Sequence, residues 1–465
     1  MVPPAPKSRS RSRSSRSRAT PFSHEEVSQV LPLQRIAARS AAAPASRHAF
    51  NLASAPPQSD SEDDIENLRM RTSPKRPPSL AGRRIVSSIV SAISSQPTAE
   101  RLASLSSLAL VSQEYRDAAQ QELFRHIHVT TSTQLELLLP ILETSSTLAL
   151  AVDALSVSGL RPDTKRSRNE LLRQVRRLVA PLANLTSLEE DLAIPDWDIV
   201  DYKGDEYILS PTSTCRLKTF KSGSAWWEVS ALHAFFTNQS ELESVTIGGA
   251  VVDREWAGAK LLSEGGVAPA RALRRLDVAQ ILHEDTLPVL LTATGGKEGE
   301  LHELAIGFQS IDEDTPRSSI VSAFRLASSN LRHLTLRAPT QVSAELAGLL
   351  DDVVAQLPQL ESIEWSEKSE AARIPLASSR FLENLPSTIR RLKARSLVSL
   401  STSKVLALLE EPESVPSLAE VDIEWAVGRG DEGGREPWYR ERHISRIQDA
   451  AAENGIECHV RKESG

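Results

Sequence analysis

Residues 331–365 read LRHLTLRAPTQVSAELAGLLDDVVAQLPQLESIEW and hold one complete unit of the fold. Two short runs of the form apolar-x-x-apolar-x-apolar, LRHLTL from Leu331 and LESIEW from Leu360, bracket residues 342–359, whose apolar side chains fall at helical spacing. Within each run the side chains alternate with period two, the mark of a strand covered on one face. Pro358 ends the helix before the next run, because proline lacks an amide donor and crowds the residue before it. A strand and helix of this size cannot bury their apolar sides alone, but stacked copies can.

The copies are present. Runs begin at Phe124, Val152, Leu185, Leu217, Leu242, Leu273, Leu301, Leu331, Leu360, Ile389 and Leu418, at intervals of 28, 33, 32, 25, 31, 28, 30, 29, 29 and 29 residues. Helical spacing also marks residues 319–330 and 401–411, and Gly295 and Gly296 break the chain between two runs. Two stretches depart from the period. Residues 189–214, with the acidic and aromatic DWDIVDYKGDEY at 196–207, read as an insertion around the run at Leu185. The Gly-rich stretch 427–437 precedes a last helix over 443–454, Gly455 suits its C-cap, and residues 456–460 suit a closing strand.

This series resembles the leucine-rich repeat family in its long, irregular form, which implies an α/β solenoid. The Asn or Cys that the family places three positions after the third apolar residue is absent. Residues between the apolar positions point to the other, concave face of each strand. Thr246, Arg275, Asp277, Glu303, His333, Thr335, Glu364, Arg391, Lys393, Glu420 and Asp422 therefore share one surface. Their signs alternate, which suits a protein partner better than a polyanion, and the charged ones with His333 are the candidate partner-binding residues. Trp226, Trp227, Trp256, Trp365, Trp425 and Trp438 are either exposed hot spots on that surface or packing between repeats.

Upstream of the first run the character changes at Arg83. Ile85, Ile89 and Ile93 stand four apart with Val86 and Val90 beside them, an apolar helix face that Pro97 ends. A second helix runs through Leu102, Leu105, Leu108 and Ala109. A third, capped by Ser112 with Glu114 in its first turn, carries Tyr115, Ala119 and Leu123 at spacing four. Three short helices form a marginal unit that needs a neighbour, either the repeat or an outside partner.

Residues 102–127, with the pattern LxxLxLVSxxYRDAAxxxLFRHI, resemble the second half of an F-box of the form seen in many fungal F-box proteins. Leu105, Leu108 and Val111 match its apolar face, Tyr115 and Arg116 its aromatic–arginine pair, and Leu123, Phe124 and Ile127 its closing segment. The likeness covers about residues 83–129. It implies docking to the adaptor subunit of a cullin–RING ubiquitin ligase through Ile85, Ile89, Leu105, Leu108, Val111, Tyr115, Arg116 and Leu123. The family usually opens with Leu-Pro followed by an acid, whereas residues 77–86 read PPSLAGRRIV. On the residues alone, an N-terminal helical cap of the solenoid is the alternative.

Residues 1–80 are rich in Ser, Arg, Pro and Ala without periodicity, so they are expected to be a disordered tail. Within it, KSRSRSRSSRSR at 7–18 is an arginine–serine tract suited to nuclear import or a weak RNA contact, or it is simply a solvated tail. SDSEDD at 59–64 and SPKR at 73–76 fit acid-directed and proline-directed kinases. Three parts follow: a tail over 1–80, an F-box-like three-helix module over 81–129, and a leucine-rich-repeat-like solenoid over 124–465.

The net charge of −7 combines a first twenty residues at +6 with a remainder at −13, which argues against nucleic acid or an anionic membrane as the main partner. Cys215 and Cys458 offer neither metal spacing nor a disulfide framework and fit a reducing compartment, nucleus or cytoplasm. No apolar run is long enough to span a bilayer. No HExxH, CxxC, GxSxG, P-loop or GxGxxG fingerprint occurs; His126 and His128 alternate on one strand, and His283, His302 and His333 lie on different repeats. No catalytic residue, metal or cofactor is therefore expected. The sequence points to a non-catalytic receptor, holding a ligase adaptor through the helices and a substrate protein through the repeat. The alternative is an adaptor-independent interaction scaffold, nuclear or cytoplasmic.

Overall fold

The computed structural model describes residues 80–462 except 95–97, 112, 162–163, 193–198, 201–207, 210–213, 224–225, 254–269, 271, 282–285, 309–316, 328, 338–347, 367–375, 379, 398–399, 412, 414 and 426–440. The tail with its kinase motifs, most of the acidic insertion, Trp256, Trp438 and His283 lie outside the described residues. The chain divides into two compact units, Met1–Gln120 and Gln121–Gly465.

The first unit contains α1 (Leu80–Ser94), α2 (Thr98–Leu108) and most of α3 (Gln113–Arg125). Helix α1 turns Val86 and Val90 inward and leaves Ile85 and Ile89 outside. The two valines, not the isoleucines, are its buried stripe. Leu105, Ala109 and Ala119 are fully buried.

The second unit is a strand-and-helix series. Its strands are β1 (His126–Val129), β2 (Ala154–Ser158), β3 (Ser187–Asp191), β4 (Ile199–Val200), β5 (Thr219–Ser222), β6 (Trp226–Glu228) and β7 (Ser244–Val252). They continue as β8 (Arg275–Ile281), β9 (Glu303–Phe308), β10 (His333–Arg337), β11 (Ser362–Ser366), β12 (Arg391–Leu397), β13 (Glu420–Trp425) and β14 (Glu457–Lys462). Between them stand α4 (Ser132–Thr144), α5 (Ser146–Ala151), α6 (Lys165–Val179), α7 (Val229–Asn238), α8 (Thr286–Ala293), α9 (Arg317–Phe324), α10 (Leu349–Val354), α11 (Thr402–Glu410) and α12 (Glu441–Glu453). A 3-10 segment, Phe381–Asn384, takes the helix position between β11 and β12. The strands form one parallel sheet in the order β1-β2-β3-β5-β7-β8 and onward in sequence to β14, while β4 pairs with β6 and β6 with the far end of β7.

Register turns the periodic leucines into a continuous core. Ile127, Leu155, Leu188, Phe220, Val245, Leu276, Leu304, Leu334, Ile363, Leu392 and Val421 stand side by side, each 8% exposed or less. The next inward row is also apolar except at Glu190 and Ser222, where the Ser222 hydroxyl donates to the Glu190 carboxylate and Trp227 Nε1 donates to Ser222 Oγ at 3.3 Å. That polar break adjoins the stretch that departs from the repeat period. Expected helices are present but shorter: 342–359 contains Leu349–Val354, and 319–330 overlaps Arg317–Phe324. Gly455 closes α12 with φ of 67°, the left-handed value a C-cap requires.

The missing asparagine has replacements at the other end of each repeat. The residue before each strand presents a carbonyl to two amides of the next repeat. Arg274 accepts from His302 and Glu303, His302 from Arg332 and His333, Arg332 from Glu361 and Ser362, and Glu361 from Arg390 and Arg391, all at 2.7–3.1 Å. Side chains just ahead of the first apolar residue add a second tie to the previous repeat. Asn184 donates to Leu150 at 2.8 Å, Asn330 to Gly299 at 3.2 Å, Thr388 to Leu360 at 2.6 Å and Asn454 to Leu409 at 3.0 Å. Carbonyls between repeats are thereby satisfied without the usual ladder.

Glycine is required where neighbouring strands slip register, at Gly248 on β7 and Gly307 on β9. A Cβ on Gly307 would stand 1.8 Å from the Ala279 carbonyl oxygen on β8, where the β8–β9 register slips between Val278 and Ile281. Backbone cannot yield as a side-chain tip can. Gly307→Ala is expected to cost about 3 kcal/mol, as overpacking against fixed atoms does. Gly455→Ala, strained in φ but in open space, should cost about 1 kcal/mol. Urea unfolding of both variants checks the order, and equal midpoints would refute it.

Candidate partner-binding surfaces

The first unit exposes large aliphatic side chains. Ile85 and Ile89, one turn apart on α1, are 56% and 36% exposed, and Leu110 and Val111, in the turn after α2, are 58% and 68% exposed. The turn tightens to three-residue hydrogen bonds, Leu110 to Ser107 and Val111 to Leu108 at 3.1 Å, which swings both side chains outward. The other candidate docking residues are placed differently. Leu105 and Leu123 are buried, while Leu108, Tyr115 and Arg116 are half-buried. Arg116 Nε donates to the Ala109 carbonyl at 3.3 Å, a basic group near the C-terminal end of α2, where the helix dipole favours it.

The second unit offers the sheet face opposite its apolar core. One outward row runs Arg275, Glu303, His333, Ser362, Arg391, Glu420 across β8 to β13, and the next runs Asp277, Ala305, Thr335, Glu364, Lys393, Asp422. The structure thus aligns the candidate residues of that face in two rows. It also adds a third row that the sequence reading stopped short of, with Arg337, Ser366, Arg395, Glu424 and Arg461. The signal was there: each is one further step of the same period-two alternation.

Those charges mostly engage one another. Arg275 pairs with Glu303 at 3.4 Å, Arg391 and Lys393 with Glu420 at 3.1 and 2.9 Å, and Arg395 with Asp422 at 2.6 Å and Glu424 at 3.4 Å. Arg461 also reaches Glu424 at 3.4 Å, and Lys221 pairs with Glu189. Arg337 crosses a whole strand to Asp277 at 2.9 Å, a reach open because β9 carries only Ala305 and Gly307 at the facing positions. Every described lysine or arginine on this face has a carboxylate partner within the face. Glu364 has none among the described residues, although Lys393 stands beside it in register.

From β1 to β7 the same face carries His126 and His128 and then the hydroxylic Ser156, Ser187, Thr219, Ser244 and Thr246 around the Lys221–Glu189 pair. Of the tryptophans, Trp227, Trp365 and Trp425 are fully buried and Trp226 is half-exposed. At the last strand, burial and the nearby Asp422 carboxylate push the Cys458 thiol up to about 11. Among the described residues no group of three or more His, Cys, Asp and Glu is placed to hold a metal, and no helix is long and apolar enough to cross a membrane.

No protein-family model matches the chain, and no curated protein matches it. Among solved structures it is similar to a chain from the crystal structure of the Rad7 and Elc1 complex in yeast. That match has 14% identity and a TM-score of 0.38, over 82% of this chain and 98% of that chain.

Proposed function

We propose that the protein is a non-catalytic receptor, whose helical unit docks the adaptor of a cullin–RING ubiquitin ligase and whose repeat holds a substrate protein on its open face. The observation that carries this reading is the set of exposed aliphatics, Ile85, Ile89, Leu110 and Val111, on a unit of three short helices. Neighbouring aliphatic side chains left in solvent, as Ile85 and Ile89 are one turn apart on a helix and Leu110 and Val111 are in one turn, favour cover by another chain. The F-box-like pattern at residues 102–127 supplies the identity of the partner class. On this reading no residue of the chain makes or breaks a bond, and the assembly accelerates ubiquitin transfer by holding substrate near the charged enzyme.

The test is capture of purified adaptor by the full chain and by an Ile85→Asp/Val111→Asp variant. Both positions are solvent-facing, so the melting temperature should hold while adaptor affinity falls by about thirtyfold or more, as when hot-spot side chains are lost. Failure of the unaltered, folded chain to bind adaptor would overturn the reading. The helices would then be a cap, and the protein an adaptor-independent scaffold, a role the burial of Leu105 and Leu123 also fits.

A further inference from the structure

We infer that the open face takes a partner segment carrying a lysine or arginine, seated over β10 and β11 with Glu364 as its acceptor. This rests on the reading of that face as the substrate-holding surface and adds the chemistry of what it holds. The face has no unengaged lysine or arginine among its described residues, because each is paired with a carboxylate on the adjacent strand or, for Arg337, on the next but one. A phosphate- or carboxylate-rich partner would have to break those pairs before gaining anything. A cation meets no such obstacle at Glu364, which is half-buried mid-sheet and has no ion-pair partner among the described residues.

The surroundings fit one cation among neutral groups. Arg337 on β10 and Arg391, Lys393 and Arg395 on β12 border the site in register, each already paired with a carboxylate. Within that border the neutral set is Ser362 and Ser366, which flank Glu364 along β11, with His333 beside Ser362 and Thr335 beside Glu364 on β10. These side chains can donate and accept hydrogen bonds without the cost of stripping water from a charge. On either side lie the closed ion-pair groups of β8–β10 and β12–β14, placed as a polar rim around a centre whose one charge is the Glu364 carboxylate. The matching occupant is an extended or loop segment with one basic side chain between neutral polar residues. Its footprint would be about 15 Å, the width of three to four strands at their usual spacing.

The experiment is panning of a displayed library of random peptides, each about a dozen residues long, against the full chain. The recovered peptides are then measured on Glu364→Gln, Glu457→Gln and Ser362→Arg variants. The expected result is enrichment of Lys or Arg, with about fivefold weaker binding to Glu364→Gln, the scale of a partly exposed charge pair. Glu457→Gln should be unchanged and Ser362→Arg should abolish binding. Circular dichroism checks that each variant is folded; Glu364→Gln is nearly isosteric and half-exposed, so it should be. Peptides that need Ser362 but ignore Glu364 and lack basic residues would overturn this inference while leaving the face as a binding surface. Recovery of no peptide dependent on Ser362 or Glu364 would overturn both, and adaptor capture by the helical unit would stand or fall separately.

Discussion

Trp425→Ala is expected to destabilise the chain by about 3–5 kcal/mol, the usual cost of emptying a large aromatic site in a packed core. Trp425 is fully buried at the end of β13, and its indole Nε1 donates to the Leu400 carbonyl at 2.9 Å, tying β13 to the start of α11. Truncation opens a cavity and leaves that carbonyl without the indole donor. Because each repeat leans only on its neighbours, the loss should be local. Amides of β12 to β14 should exchange with solvent well before those of β1 to β5, and hydrogen exchange followed by mass spectrometry would show it. Uniform exchange along the whole sheet would contradict the one-dimensional picture.

Trp365 gives the control. It is equally buried, packs edge-on against Phe381 with ring centroids 5.2 Å apart, and its Nε1 meets no acceptor among the described residues. Changing either tryptophan to phenylalanine removes a similar volume. At Trp425 it also removes a hydrogen bond, whereas at Trp365 it removes a buried donor that meets no acceptor among the described residues. Trp425→Phe should therefore be worse than Trp365→Phe by about 2 kcal/mol.

Periodicity made the repeat legible because strands and helices that stack must restate their apolar pattern every turn of the solenoid. The strands at Leu301 to Leu418, the closing strand at residues 456–460 and the two outward rows were all visible in that pattern. Three things were not. Helix α1 has apolar residues on two adjoining faces, and spacing alone does not say whether Ile85 and Ile89 or Val86 and Val90 turn inward; packing chose the valines. The inter-repeat ties at Asn184, Asn330, Thr388 and Asn454 fall outside the position where a ladder residue is sought, so their absence there read as absence altogether. The pairing of surface charges depends on which strand lies beside which. Arg337 and Asp277 are 60 residues apart in sequence and meet only because β9 between them is bare. A row of alternating charges looked like a surface waiting for a partner, and most of it is engaged with itself.

That engagement has a measurable price at Arg395. Its guanidinium is the cation bonded to Asp422, at 2.6 and 3.1 Å, and the Asp422 side chain is only 11% exposed. Arg395→Met keeps most of the aliphatic stem but leaves the carboxylate largely buried without its ion-pair partner. Loss of one member of a fully buried pair destabilises by 3–5 kcal/mol; with Arg395 itself 30% exposed, about 2 kcal/mol is expected. Arg395→Met/Asp422→Leu should recover most of it, because no unpaired charge remains. A double mutant as unstable as the single one would mean that Arg395 acts through packing rather than charge. The Cys458 thiol reports the same event independently. Asp422 helps hold it up at about 11, so removing Arg395 should raise it further and slow alkylation at a given pH. Asp422→Leu should instead lower it and speed the reaction, while Cys215, 1% exposed in the core, stays protected in both. Alkylation that quickens in Arg395→Met would mean that the last strand has come away from β13, and the charge network would then be what keeps the end of the solenoid closed.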